Sequence, residues 1–107
     1  PLTLLKCISI KKSMGWCNDI RFPRKYNKLF KIEKKVRHEK LKRQDYKYDL
    51  LIPIKYNFKK PIPGLGSCIF IHLTKDYKPT AGCIGLRKKD FLIMLKLIKK
   101  NTKIKIF

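Results

Sequence analysis

A mainly β domain with one or two short helices is the fold class this sequence predicts, and three stretches predict it. Tyr48 to Tyr56 alternates, with Tyr48, Leu50, Ile52, Ile54 and Tyr56 on one face, the period-2 pattern of a half-buried strand. Ser67 to Leu73 is a run of apolar, β-branched and aromatic residues behind a glycine-rich lead-in, which fits a strand buried on both faces. Lys88 to Lys100 carries Phe91, Leu92, Leu95 and Ile98 at helical spacing, a packing stripe of period 3.6.

Taken in order, Pro1 to Lys12 spaces Leu2, Leu4, Leu5, Ile8 and Ile10 as a short extended segment would. Lys11 to Gly15 is a turn, and Trp16 after it reads as a core or rim aromatic. Asn18 and Asp19 suit side-chain-to-backbone turns. Ile20 to Gln44 is basic with sparse apolar anchors. Within it, Glu33 to Arg43 is expected to form a short, solvated helix, with Val36 and Leu41 as its apolar side and His38 exposed. In the Tyr48 strand, Pro53 removes a ladder donor and so predicts an edge position or a bulge. Lys59 to Gly66 turns the chain back, making the Tyr48 and Ser67 strands sheet neighbours. Thr74 to Thr80 is a loop of poor strand formers, and Gly82 to Ile84 begins a second short extended segment. The helix from Lys88 is expected to brace that loop. Lys103 to Phe107 alternates as a terminal strand.

A chain of 107 residues holds one domain at most. It starts on proline rather than methionine, so a processed or truncated piece is expected. No run reaches the roughly 18 apolar residues of a membrane helix. The net charge of +21 invites a nucleic-acid reading. However, its cations are 23 lysines and only 5 arginines, beside 14 isoleucines and one each of alanine and valine, a bias that suits an A- and T-rich genome. Arginine, the bidentate reader of phosphates and bases, is scarce, so no nucleic-acid partner is expected. An anionic polymer such as a carboxylate-bearing cell wall remains compatible with the charge. Cys7, Cys17, Cys68 and Cys83 show no C-x-x-C spacing, so no metal site is expected.

The chemistry concentrates between Gly66 and Leu86. His72 ends one strand and Cys83 opens the next extended segment. Free cysteine, with a pKa of about 8.5, is only a few per cent thiolate at neutral pH. A nearby histidine can take that proton and return it to a leaving amine. Gly82, lacking a Cβ, lets a substrate carbonyl approach the amides of Gly82 and Cys83 as an oxyanion hole. Cys68 shares the face of His72 in the predicted strand and is a rival thiol, although a buried small hydrophobe is the commoner role. On this reading Cys83 is expected to be the most reactive thiol.

Thr80-Ala81-Gly82-Cys83, preceded by the strand ending Ile71-His72, resembles the signature of the L,D-transpeptidase catalytic domain, the YkuD-like family. Gly15-Trp16-Cys17-Asn18-Asp19, Tyr26-Asn27, Tyr56-Asn57 and Pro63-Gly64-Leu65-Gly66-Ser67 resemble one branch of it. The resemblance implies an L,D-transpeptidase-like β-sandwich or barrel, of which this chain would be the C-terminal part, truncated at its N-terminal side. It implies Cys83 as nucleophile and His72 as base, with Gly82 and Thr80 at the oxyanion or substrate site and Trp16 and Asn18 flanking the cleft. The substrates would be peptidoglycan peptide stems in the periplasm or cell envelope, with no metal or organic cofactor. Three departures stand out: Ala81 replaces the signature histidine, Gly85 stands where many members carry Arg or Asn, and the loop between His72 and Cys83 is shorter. The alternatives are a carboxypeptidase-like hydrolase at the same site, or a basic protein that binds nucleic acid or wall without chemistry.

Overall fold

The computed structural model of the chain describes residues 3–78 and 80–105. Six short strands and one helix follow in order: β1 (Met14–Cys17), β2 (Leu29–Lys31), β3 (His38–Lys40), β4 (Leu51–Pro53), β5 (Phe70–Leu73), β6 (Ile84–Leu86) and α1 (Lys88–Leu97). They form two three-stranded sheets, ordered β2-β1-β3 and β4-β5-β6, so the mainly β expectation is met.

In the first sheet β1 is central and antiparallel to both neighbours, with Trp16 opposite Leu29 and Glu39. In the second, β5 is central, antiparallel to β4 and parallel to β6. All four residues of β5 are buried, as an apolar run with no polar face requires. Its alternation splits the core in two. Phe70 joins Trp16, Leu41, Tyr48 and Cys68, whereas Ile71 and Leu73 join Phe91 and Leu95 of α1. Pro53 lies on β4, an edge strand, where its missing donor costs no ladder bond. The helix buries Phe91 and Leu95 one turn apart, with Asp90 in its first turn and Lys96 in its last, matching the helix dipole.

Several sequence expectations are corrected. Residues 3–12 form no strand: Leu4 and Ile8 stay 72% and 61% exposed, and only Leu5 and Ile10 pack onto the cores. The helix expected over Glu33 to Arg43 is instead a turn followed by β3. Val36 and Leu41 are five residues apart and give a helix no continuous stripe, while pairing with β1 buries both. His38 on β3 is consequently half-buried, its Nδ1 2.7 Å from the Val36 carbonyl. The Tyr48 strand shortens to Leu51–Pro53, and its phase breaks. Leu50, Ile52 and Ile54 pack with the helix, but Tyr48 turns to the opposite core. The Ser67 strand starts only at Phe70, because Cys68 takes a left-handed φ of 60° that no strand sustains. Residues 103–105 of the expected terminal strand are not in a sheet, and the remaining two lie outside the described residues.

Candidate active site

His72 is buried on β5 with its Nδ1 2.8 Å from the carbonyl oxygen of Leu73. A carbonyl only accepts, so Nδ1 carries the hydrogen and Nε2 keeps its lone pair. No buried side-chain nitrogen or oxygen among the described residues lacks a partner. Nε2 has no hydrogen-bond partner among the described residues and is therefore not sealed from solvent. The ring is bounded on other sides as well. The Tyr48 ring lies 5.7 Å away at 54°, and Gly85 of β6 is its register partner. A Cβ on Gly85 would sit 3.6 Å from His72 Cε1 and only 3.0 Å from Thr74 Cγ2. The glycine that departs from the family signature thus leaves room that Thr74 and the imidazole use.

Cys83 is half-buried just before β6. Its thiol donates to the Cys68 carbonyl at 3.1 Å and accepts the amide N–H of Phe70 at 3.5 Å. The sulfur is therefore held by the backbone of the neighbouring strand, beside Phe70. His72 follows two residues later, about 7 Å along a strand. Burial pushes the Cys83 thiol up, the Phe70 N–H pulls it the other way, and the Glu39 carboxylate adds to the rise. This geometry does not supply the thiolate that His72 and the Gly82 and Cys83 amides were expected to favour; it is a protonated resting thiol. The rival fares worse. Cys68 is buried, its thiol directed at the Trp16 carbonyl 3.8 Å away, and burial pushes it up to about 12.

The loop joining the two residues is fixed at both ends. Thr80 Oγ1 donates to the Cys83 carbonyl, and Gly82 takes a φ of 114° that favours glycine. Tyr77 donates its hydroxyl to Asp90 and accepts the Arg87 N–H at 3.0 Å, so the start of α1 braces this loop as expected.

Of the other anticipated residues, Trp16 is 6% exposed and belongs to the core behind the site, its ring edge-to-face on Phe70 at 5.2 Å. Its indole N–H donates to Asn27 Oδ1 at 2.8 Å. Asn18 is exposed just past β1, and among the described residues no hydrogen bond ties its side chain to the site. Its neighbour Asp19 is the buried one, accepting from the Arg21 side chain and from the Arg37 amide at 2.9 Å. The Tyr-Asn pairs are latches. Asn27 Nδ2 donates to the carbonyls of Tyr56 and Asn57, Asn57 Nδ2 donates to those of Ile62 and Gly66, and the Tyr26 hydroxyl accepts from Gly66.

Sequence reasoning missed Glu39, Tyr48 and the Leu73 carbonyl. The first two were assigned to a solvated helix and to the wrong strand face, and no local pattern marks either one. Two cavities open elsewhere: one of about 780 Å³ at Lys75, Arg87 and Lys88, and one of about 900 Å³ between residues 5–10, Trp16, Tyr48 and the helix. Cys83 and His72 line neither of them.

No curated protein and no solved structure matches the chain. The family model of the L,D-transpeptidase catalytic domain (YkuD) matches residues 8–106. The proteins of that family act on peptidoglycan. Because the match spans nearly the whole chain and takes in both His72 and Cys83, this protein belongs to the L,D-transpeptidase catalytic-domain family.

Proposed function

We propose that the protein is a cysteine-dependent acyl transferase that cross-links or modifies peptidoglycan peptide stems. The observation that carries this reading is the His72 tautomer. With Nδ1–H committed to Leu73, the free lone pair on Nε2 is the one a base needs. For reaction, the Cys83 sulfur exchanges the Cys68 carbonyl for His72 Nε2, which takes the thiol proton as sulfur attacks the donor carbonyl. The C–N bond of the donor breaks, the leaving amine takes the proton from His72, and a thioester remains. An acceptor amine then attacks the thioester, His72 takes its proton, and sulfur leaves to regain it. The amides of Gly82 and Cys83 stabilise the oxyanion at each addition. Burial of the resting thiol keeps it protonated, so the base and the substrate must act together to activate it. Action on stems in the periplasm or cell envelope follows from the family's substrate. Among the described residues no helix is long and apolar enough to cross a membrane.

The test is mass spectrometry of the protein incubated with a tetrapeptide donor, with peptide mapping of the adduct. One acyl group on Cys83, absent in Cys83→Ser, is expected. An adduct on Cys7, Cys17 or Cys68, or none at all, contradicts the assignment. Adding an amine acceptor should convert the adduct to a cross-linked product; release of free acid alone would mark a hydrolase.

A further inference from the structure

The fixed ring of His72 has a second anchor besides Leu73. Tyr48 is 7% exposed and lies in the irregular segment before β4, yet its ring crosses to the core between the sheets. There it packs edge-on against Phe70 at 5.6 Å and tilted against His72 at 5.7 Å. Its hydroxyl donates to Glu39 Oε1, on β3 of the other sheet. The Arg43 guanidinium lies over the ring at 4.9 Å, with one nitrogen 3.9 Å from Glu39. The tyrosine is thus tied at its tip to one sheet while its ring packs, tilted, against the imidazole of the other. Tyr48 is the only aromatic side chain packed against the His72 ring among the described residues.

A histidine held by one hydrogen bond can still rotate about χ2, and that rotation would remove Nδ1–H from Leu73 and misdirect Nε2. A ring packed against the imidazole opposes the rotation. Resting on the reading of His72 as base, we propose that Tyr48, tethered through its hydroxyl to Glu39, is a positioning residue that holds the His72 imidazole with Nδ1–H on Leu73 and Nε2 free. The tether matters because a free ring would follow the imidazole instead of restraining it. Glu39 is the natural anchor: it sits on β3 opposite Trp16, in a sheet that does not carry the reacting groups.

Two measurements test this. In the wild-type protein, the nitrogen and carbon-bound proton signals of His72 should report one Nδ1–H tautomer with ring protons shifted by the Tyr48 ring current. A mixture of tautomers with unshifted ring protons overturns the proposal, whatever any variant does. Single-turnover acylation of Cys83 by a tetrapeptide donor is then compared across Tyr48→Leu, Tyr48→Phe and Glu39→Gln. Tyr48→Leu should slow the acylation step about tenfold at unchanged donor affinity, because a misplaced base loses part of its contribution. Tyr48→Phe, which keeps the ring and loses the tether, should recover part of that loss. Glu39→Gln, whose amide oxygen still accepts from the hydroxyl, should stay within about threefold of wild type. A folded Tyr48→Leu that acylates within twofold of wild type overturns the proposal. If Tyr48→Leu does not fold, Tyr48→Phe decides: wild-type rate with an unchanged His72 spectrum overturns the tether. Absence of an adduct in the wild type would instead sink the nucleophile assignment, while the His72 spectrum still decides the hold of Tyr48 on the ring.

Discussion

The two sheets solve the problem of buried polar groups in opposite ways. Around β1 the buried polar residues are Asp19 and Asn27, and each is bonded through both ends of its side chain: Asp19 through Oδ1 to Arg21 and through Oδ2 to the Arg37 amide, Asn27 to Trp16 and to two carbonyls. In the β4-β5-β6 sheet the buried polar residue is His72, bonded at one nitrogen and open at the other. A fully satisfied buried network is costly to disturb and serves to fix backbone. A half-satisfied one keeps an unused lone pair. Under the proposed function the first sheet is scaffold and the second carries the chemistry, with Phe70 and Tyr48 as side chains that join them.

The comparison breaks most visibly at the joint. Phe70 is fully buried and edge-packed on both Trp16 and Tyr48, so Phe70→Ala should cost about 3–5 kcal/mol. That is a large share of a total stability of about 5–15 kcal/mol. Denaturant unfolding checks it, and a loss below about 1 kcal/mol would mean the sheets do not depend on each other through this ring.

A smaller loss should follow in the scaffold alone. Asn27→Ala strands the Trp16 indole N–H and the Tyr56 and Asn57 carbonyls, and it puts alanine at a φ of 56°. The expected cost is about 2–3 kcal/mol. Asn27→Gly relieves the backbone part only, so it should regain up to about 1 kcal/mol in the same unfolding experiment. Full recovery would show that the hydrogen bonds contribute nothing.

The two halves should also fail at opposite ends of the pH scale. The Arg21 guanidinium holds the Asp19 carboxyl well below the usual range against the opposing effect of burial. A depressed carboxyl contributes stability above its unfolded pKa of about 3.9, and that contribution is lost as pH falls from there. Cys68 is the reverse case. Burial raises its thiol to about 12, so its contribution is complete below the unfolded value of about 8.5 and is lost as pH rises toward 12. Thermal melts against pH should show Asp19→Asn flattening the acid limb and Cys68→Ala flattening the alkaline limb. Either substitution leaving its limb unchanged contradicts the assignment.

What was legible in the sequence follows the same division. The second sheet was read well because its signals are local: the apolar run of β5, Pro53 at an edge, the stripe of α1, and the motif from Thr80 to Cys83. The first sheet was missed because β2 and β3 lie in the basic stretch from Ile20 to Gln44, whose apolar residues are too sparse to mark either strand. Glu39 and Val36 reveal their places only through pairing with β1. Tyr48 fitted an alternating pattern and was put on its face, but it sits inside a turn, closed by the Asp49 amide donating to the Tyr46 carbonyl at 3.0 Å, which resets the phase before β4. The motif residues Asn27 and Asn57 were visible, but their latch geometry was not, since their partners lie up to 30 residues away.

The smallest effect belongs to the surface. Most of the 28 basic residues have no acidic partner to pair with, since the acids number 7. Exposed charges are screened beyond about 8 Å at physiological salt. Raising salt should therefore weaken binding to intact cell wall while acylation by a small uncharged donor changes less than about twofold. A steep salt-dependent affinity for DNA would instead mark nucleic acid as the partner.

The central claim is that His72, open at Nε2, is the base for Cys83, and its two histidines let this protein test that directly. The measurement is the time course of Cys83 acylation by a tetrapeptide donor in the wild type, His72→Ala and His38→Ala. Removing a positioned base should slow acylation on the order of 10²-fold or more, while His38→Ala, in the scaffold sheet, should remain within a few-fold of wild type. Acylation of His72→Ala at the wild-type rate, or an equal loss in His38→Ala, would contradict the account.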